Sequence, residues 1–407
     1  MTDDSSPSAI RLWLAELDAD LQARKRDHNW RLLPSVQSRC EPEVRINSSQ
    51  YLQFCSNNYL GLAADPRVVD AARSALDRWG FGAGASRLVS GNTELHQKLE
   101  ADLARLKRQP AAVILPSGFA ANLAALKTFS APGDLIFSDK LNHASLLDAA
   151  AASGADHHTY PHLDYDRLEA RLRRFANRRA EGSSATRGQC WLVSDTVFSM
   201  DGDVGSPARL AQIANRYDAL LMIDEAHATG VLGVDGAGVA AMENATDRVA
   251  LSVGTLSKAF GSVGGFITGP QAAVDSLINR GRNLIYTTAL PAVCISAAQA
   301  ALDISLAEPW RREHVCLLAH RLRTELKQMG FDCGQSSTPI IPIIVGSSQS
   351  AIAASGRLAE MGIWVPAIRP PTVRPNSARL RISLMATHTD EHIARLVKAI
   401  KDLVPKA

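Results

Sequence analysis

Little in this chain of 407 residues points toward a membrane, a nucleic acid or a disulfide scaffold. The formal net charge is only +3, too small to argue for a polyanion as partner. No apolar run reaches the roughly 18 residues that a membrane span needs. The opening MTDDSSPSAI lacks the basic start and apolar stretch of a secretory signal. Cysteine is sparse: six residues, none in CxxC spacing. Neither a disulfide framework nor a zinc ribbon is expected, and reduced thiols in a cytoplasm fit best. His157, His158 and His162 lack the i, i+4 histidine pair with a glutamate, so they read as surface polarity and no metal is expected. No Gly-Lys pair occurs anywhere. Without a phosphate loop the DEAH at Asp224–His227 is not a helicase box. GFGAGA at 80–85 follows a helical pattern rather than a strand, so it is not a dinucleotide fingerprint. Internal repeats and low-complexity segments are absent.

What is present is a long alternation of short apolar runs with helical patterns. Hydrophobic residues make up 46% and charged residues 21%, an ordinary globular balance. Ile10, Leu12, Leu14, Leu17 and Leu21 fall at helical spacing, which predicts an amphipathic arm over 8–28. Tyr51–Phe54 reads as a strand, Arg67–Trp79 as a helix and Gly80–Gly91 as a flexible stretch. Leu95–Leu106 and Ala120–Phe129 read as helices. Ala112–Pro116, Leu135–Ser138, Trp191–Ser194, Leu220–Asp224, Val249–Val253 and Gly265–Thr268 are short runs of buried-strand type. Such runs between helices predict a mostly parallel sheet covered on both faces. After Pro309 a helix (Arg311–Met329), strands at Ile340–Val345 and Arg379–Ser383, and a last helix (Thr389–Leu403) predict a smaller α/β lobe. A division into an arm (1–50), a large domain (51–308) and a small domain (309–407) follows. Ala180–Gly188 is the expected loose loop.

Four local patterns can carry chemistry. Asp224 ends an apolar strand, LLMID, at the sheet edge where such folds bind ligands; the competing reading is a structural cap. Ser117–Gly118–Phe119 joins a strand to a helix, whose first N–H groups suit a phosphate; an ordinary turn is the alternative. Lys258 lies in GTLSKAFG, between an apolar run and a glycine-rich one, an odd setting for a merely solvated lysine. His143 begins a helix and could equally be a cap.

Together these segments resemble the α-oxoamine synthases, fold-type-I enzymes dependent on pyridoxal 5'-phosphate (PLP). The resemblance rests on SNNYLGL (56–62), GASRLVSGN (84–92), PSGFAAN (116–122), NHASLLDA (142–149), VFSMDGD (197–203), IDEAHATGVLG (223–233), GTLSKAFGSVGG (254–265), IYTTALP (285–291) and AIRPPTVRPNSARLRISL (367–384). It implies an α/β, aminotransferase-like transferase with a large and a small domain. It implies PLP in Schiff-base linkage to Lys258, Asp224 paired with the pyridine nitrogen, His227 on the ring hydroxyl and His143 stacked on the ring. Gly118, Phe119, Ser199 and Thr255 are implied as further cofactor contacts. Tyr286, Thr287 and Thr288 are implied to reach the phosphate of a neighbouring subunit, hence a homodimer with shared sites. Arg381 is implied to hold the substrate carboxylate by a bidentate fork, with Arg31, Asn57, His143 and Thr372 as other substrate contacts. AIRPPTV followed by ARLRISL is most similar to members of biotin biosynthesis that condense L-alanine with a pimeloyl thioester of CoA or a carrier protein. The open alternatives are a sister enzyme using glycine with acetyl- or succinyl-CoA, an aminotransferase, and a non-catalytic PLP-binding regulator.

Overall fold

The computed structural model describes residues 9–180 and 188–403; the loop expected over Ala180–Gly188 lies, at 181–187, outside the described residues. Strands β1 (Glu43–Ile46) and β2 (Ser49–Gln53) form an antiparallel hairpin. Its two turn residues, Asn47 and Ser48, are both left-handed, with φ of 47° and 68°, as a tight hairpin turn demands. The central strands are β3 (Ala111–Leu115), β4 (Leu135–Asp139), β5 (Asp156–Tyr160), β6 (Cys190–Asp195), β7 (Leu220–Asp224), β8 (Leu251–Thr255) and β9 (Gly265–Gly269). They form one sheet in the order β3-β9-β8-β7-β6-β4-β5. Only β9 runs against its neighbours; the other pairings are parallel.

The apolar runs produce this sheet because both of its faces are covered. Every residue of β3, β4, β6, β8 and β9 is buried, so the strands read as continuous rather than alternating. Alternate residues feed opposite faces: Ala112, Ile114 and Phe266 join one core, and Val113, Leu115 and Ile267 the other. The expected run at Val249–Val253 is displaced by two residues, because Gly254 and Thr255 pair with Phe266 and Gly265. A β-carbon on Gly254 would sit 2.2 Å from the Phe266 ring, so that close crossing admits only glycine.

A second core lies toward the C-terminus. Strands β10 (Ile340–Gly346), β12 (Ala367–Ile368) and β13 (Ala378–Ser383) form an antiparallel sheet, while β11 (Ile363–Trp364) pairs in parallel with β2. Leu52 and Phe54 pack here with Val315, Leu318, Leu380 and Leu396. The strand that opens the expected large domain thus shares the C-terminal core.

Two expectations need correction, and a third, the helical arm, is met without burial. The stretch Gly80–Gly91 is not flexible throughout. Arg87–Gly91 forms a π-helical turn, anchored by Arg87 on Glu100 at 2.9 Å and on the Ile114 carbonyl at 3.2 Å. The histidines are not simple surface polarity. His157 and His158 lie in β5, an edge strand too polar for its pattern to show, and His157 Nε2 meets the Ser138 hydroxyl at 2.7 Å. His162 lies between two carboxylates. The arm is helical over Ala9–Arg26 but buries no residue in this chain; Ile10 and Trp13 are 68% and 58% exposed.

Strand polarity sets the functional edge. Asp139, Asp195, Asp224 and Thr255 end β4, β6, β7 and β8 on one side of the sheet, where ligands bind in folds of this kind. Behind Asp224, Glu225 is buried and ion-paired with buried Lys107. Lys107 also donates to the Ala237 carbonyl, and Glu225 accepts from the Ala240 N–H at 3.0 Å. Removing one partner strands a charge in the core. Lys107→Met should therefore cost about 3–5 kcal/mol in denaturant unfolding, and Lys107→Met/Glu225→Gln should recover part of the loss. An unchanged denaturation midpoint in the single variant would contradict this account.

Candidate active site

Five segments converge at the C-terminal edge of the sheet on a cavity of about 210 Å³. Its wall includes Gly118, Phe119, Asn122, His143, Ser199, Asp224, His227, Thr255 and Lys258. Sequence reasoning selected eight of these nine from motifs spread over 141 positions, and the fold brings them together.

Asp224 is 5% exposed. One carboxylate oxygen accepts from Asn122 Nδ2 at 2.6 Å and the other from the Ala226 N–H at 2.8 Å. Asn122 also donates to the Ser145 hydroxyl at 2.8 Å, which lies 2.7 Å from His143 Nδ1. His143 is the N-cap of helix Ala144–Ser153, accepting from the Ser145 N–H through Nδ1. Its own backbone N–H donates to buried Asp195 at 2.6 Å. A continuous chain of hydrogen bonds therefore ties the carboxylate to the histidine that the resemblance stacks on the cofactor. Sequence reasoning missed Asn122, Ser145 and Asp195. Asn122 closes the quoted motif PSGFAAN, and Asp195 ends a buried strand as Asp224 does; both signals were available.

Lys258 follows β8 and faces Asp224 and Asp195. Burial pulls its ammonium down to about 8, against the upward pull of the two carboxylates and with help from Arg381. Free amine is therefore far more available near neutral pH than on an ordinary solvated lysine, which favours nucleophilic lysine chemistry. The Asp195 carboxyl is pushed well up by burial and by Asp224. His227 is held well below its ordinary value by burial, with Lys258 and Arg381 adding to the effect. Its Nδ1 lies 2.7 Å from the buried Tyr59 hydroxyl. The same hydroxyl donates to Asn57 Oδ1 at 3.2 Å, so Tyr59 links His227 to the residue beside Arg381.

The helix Gly118–Phe129 starts at the same cavity. Ser117 caps it, accepting from Ala120 N at 3.1 Å, so the Gly118 and Phe119 N–H groups have no partner within the helix. A β-carbon on Gly265 would come 2.5 Å from Gly118 N; the neighbouring strand is packed tightly against this turn. Arg381, on β13, is 6% exposed. It donates to the Ser199 carbonyl, to Ser383 at 2.7 Å and to Asn57 at 3.3 and 3.4 Å. Arg381 and Asn57 thus meet each other, and Ser199 links them to the cavity wall. These residues fit PLP. They offer an amine for its aldehyde, a buried carboxylate for its ring nitrogen and a helix N-terminus for its phosphate. Asn122 Oδ1, buried at the cavity wall, has no partner among the described residues.

Other expected residues stand apart from this wall. Tyr286 is 73% exposed with the Arg282 guanidinium over its ring, and Thr287 and Thr288 lie in a separate crevice beside Arg87 and His96. Arg31 and Thr372 are exposed and meet each other at 3.4 Å. Arg369 links the same segments, donating to the carbonyls of His28 and Trp30 at 2.7 and 3.2 Å.

Comparison with known proteins agrees with the geometry. Residues 49–400 match the family model for aminotransferase class I and II. The chain is 42% identical over 388 residues to the 8-amino-7-oxononanoate synthase of Pseudomonas fluorescens, covering 95% of this chain and 96% of that one. The solved serine palmitoyltransferase of Sphingomonas wittichii superposes with a TM-score of 0.87 at 27% identity over 97% of both chains. An SPT structure with PLP superposes with a TM-score of 0.89 at 25% identity, covering 96% of this chain and 98% of that one. The chain belongs to the aminotransferase class I and II family, within its α-oxoamine synthases, and is a fold-type-I enzyme that uses PLP.

Proposed function

We propose that this enzyme condenses L-alanine with a pimeloyl thioester, releasing CO2 and the free thiol and forming 8-amino-7-oxononanoate, a reaction of biotin biosynthesis in the cytoplasm. The observation that carries this reading is the near-full-length likeness to 8-amino-7-oxononanoate synthase. The thiol can be CoA or a carrier protein. When bound, PLP supplies the electron sink that stabilises charge at the substrate's Cα. Asp224, kept in place by Asn122, holds a proton on the ring nitrogen. His227 would hydrogen-bond the ring hydroxyl, and His143 would cover the ring face. Gly118 and Phe119 give backbone N–H donors, with Ser199 and Thr255 adding hydroxyl contacts. Lys258 would hold the cofactor covalently, and its free amine is placed to move the proton at the substrate's Cα. Arg381 takes the amino-acid carboxylate, and Asn57 steadies the guanidinium. Arg31 and Thr372 receive the far end of the acyl chain. The working division is an arm (1–50), a large cofactor domain (51–308) and a small domain (309–407), with the strand at 49–53 crossing into the small-domain core.

We further propose a homodimer with shared sites. Tyr286, Thr287 and Thr288 lie outside the cavity of their own chain, and the arm's apolar face is uncovered. Both features leave these segments free to engage a second copy.

Three outcomes are expected. Supplied separately with a pimeloyl thioester, L-alanine should give CO2 and product, and glycine and L-serine little. A preference for glycine with acetyl-CoA would move the protein to a sister activity. Cofactor-free enzyme should capture PLP faster as pH rises, levelling off above about 8, because the neutral amine of Lys258 is the attacking form. A rise that continues to the ordinary lysine value would contradict the buried setting. Mixing inactive Lys258→Ala with an impaired Tyr286→Phe/Thr288→Ala variant should restore activity, since one site of the mixed dimer then carries neither lesion. Absence of recovery after demonstrated subunit exchange would mean that each site comes from one chain.

A further inference from the structure

His162 does not line the cavity, yet it joins the segments that carry two of its wall residues. Its side chain is 21% exposed and wedged between two acids. Nδ1 lies 3.0 Å from Asp139 Oδ1 and Nε2 lies 2.7 Å from Asp203 Oδ2. Both contacts are hydrogen bonds only when both ring nitrogens carry protons. Asp139 is fully buried and also accepts from the Leu141 and Leu163 N–H groups, each at 2.8 Å. Two residues past Leu141 stands His143. Asp203 closes a turn in which its carbonyl accepts from the Phe198 N–H at 3.1 Å, and Ser199 lies within that turn. The Phe198 ring meets the His162 ring edge-on at 4.4 Å. Asp203 Oδ1 is buried without a partner among the described residues. Among the described residues no lysine or arginine forms an ion pair with Asp139 or Asp203. The imidazolium is therefore their cation.

We propose that His162 is a positioning residue whose doubly protonated ring clamps the segment bearing His143 to the turn bearing Ser199, and so sets both against the PLP cavity. The proposal rests on the cavity being the PLP site and is independent of which amino acid or thioester is used. Both linked segments are otherwise held from elsewhere. His143 is tied to Asp195 through its backbone. The turn is tied to the small sheet by Arg379 on Asp201 and Arg381 on the Ser199 carbonyl. Among the described residues, His162 alone connects the two by side-chain bonds at both ends.

The charge state of the ring agrees with this role. Burial pulls the imidazole down, but the bonds to Asp139 and Asp203 outweigh it and hold the group at about 9. The other titratable groups facing these acids are Tyr160, Tyr165 and Asp195. Tyr160 and Tyr165 are pushed up by burial, Tyr165 to about 12, and Asp195 is pushed up by burial and Asp224; none supplies a cation. Because the folded value is raised, the clamp is fully present below the ordinary histidine value of about 6.5. It is lost as pH rises through about 9.

The test uses PLP-loaded enzyme without substrate and reads the circular dichroism of the bound cofactor across pH. The band reports the asymmetry that surrounding groups impose on PLP. In the wild type it should change through a transition near pH 9. His162→Gln cannot donate at both ends; its band should already be altered at neutral pH, and the transition near 9 should vanish. Asp203→Asn keeps the ring but removes one carboxylate. Its transition should move down by about one pH unit or more, which keeps the test decisive if His162→Gln folds poorly. A wild-type band and an unmoved transition in either folded variant would overturn the proposal. Loss of the pimeloyl activity reading would leave this measurement intact, since no substrate is present.

Discussion

Three carboxylates end neighbouring strands inside one protein edge, and the rest of the site is arranged around the need to compensate them. Asp139, Asp195 and Asp224 are each at most 6% exposed. A buried charge without partners is costly enough that the group protonates or the fold yields. Each acid meets that constraint differently. Asp139 takes an imidazolium and two backbone N–H groups. Asp224 takes an amide and a backbone N–H, and leaves its charge to Lys258. Asp195 accepts from the His143 N–H, and burial and Asp224 push it well up toward its neutral form. The lysine's lowered value arises in the same place, where burial outweighs the pull of the acids.

The same setting explains why the cavity histidines are neutral while His162 is not. His143 and His227 are lowered by burial and sit beside Lys258. Neutral rings can stack or donate one proton, and the Ser145 N–H makes Nδ1 of His143 the acceptor. His162 meets two acids and no cation, so its ring keeps both protons. Identical side chains thus serve opposite electrostatic purposes within one strand edge.

How legible the molecule was depended on whether burial left a pattern. The central strands announced themselves because both faces are covered, which turns each into a continuous apolar run. β5 did not, since DHHTY is an edge strand with one polar side. Lys258, Asp224, His227, His143 and the Gly118 turn were readable as motifs, and the fold places all of them on one wall. Asn122 stood at the end of a motif, but its role, like that of Ser145 and Tyr59, was harder to see. Their importance lies in hydrogen bonds that span up to 168 residues, and no local spacing encodes those. The helical period of the arm was right, but period alone cannot say whether an apolar face is covered by its own chain. Arg31 and Thr372, 341 residues apart, do meet, which only the folded chain could reveal.

The pairing of β2 with β11 has a consequence for synthesis. Leu52 is in register with Ile363, and Phe54 packs in a core completed only by the last helix. At typical translation rates the ribosome needs some tens of seconds to make the intervening chain. Throughout that interval Leu52 has only its hairpin partner Glu43, and the core that buries Leu52 and Phe54 stays incomplete, while the central sheet can already assemble beside them. Late closure of so distant a contact also carries a loop-entropy cost that slows folding. The early strand is thus a point at which nascent chains can pair wrongly, and a place where chaperone dependence would originate.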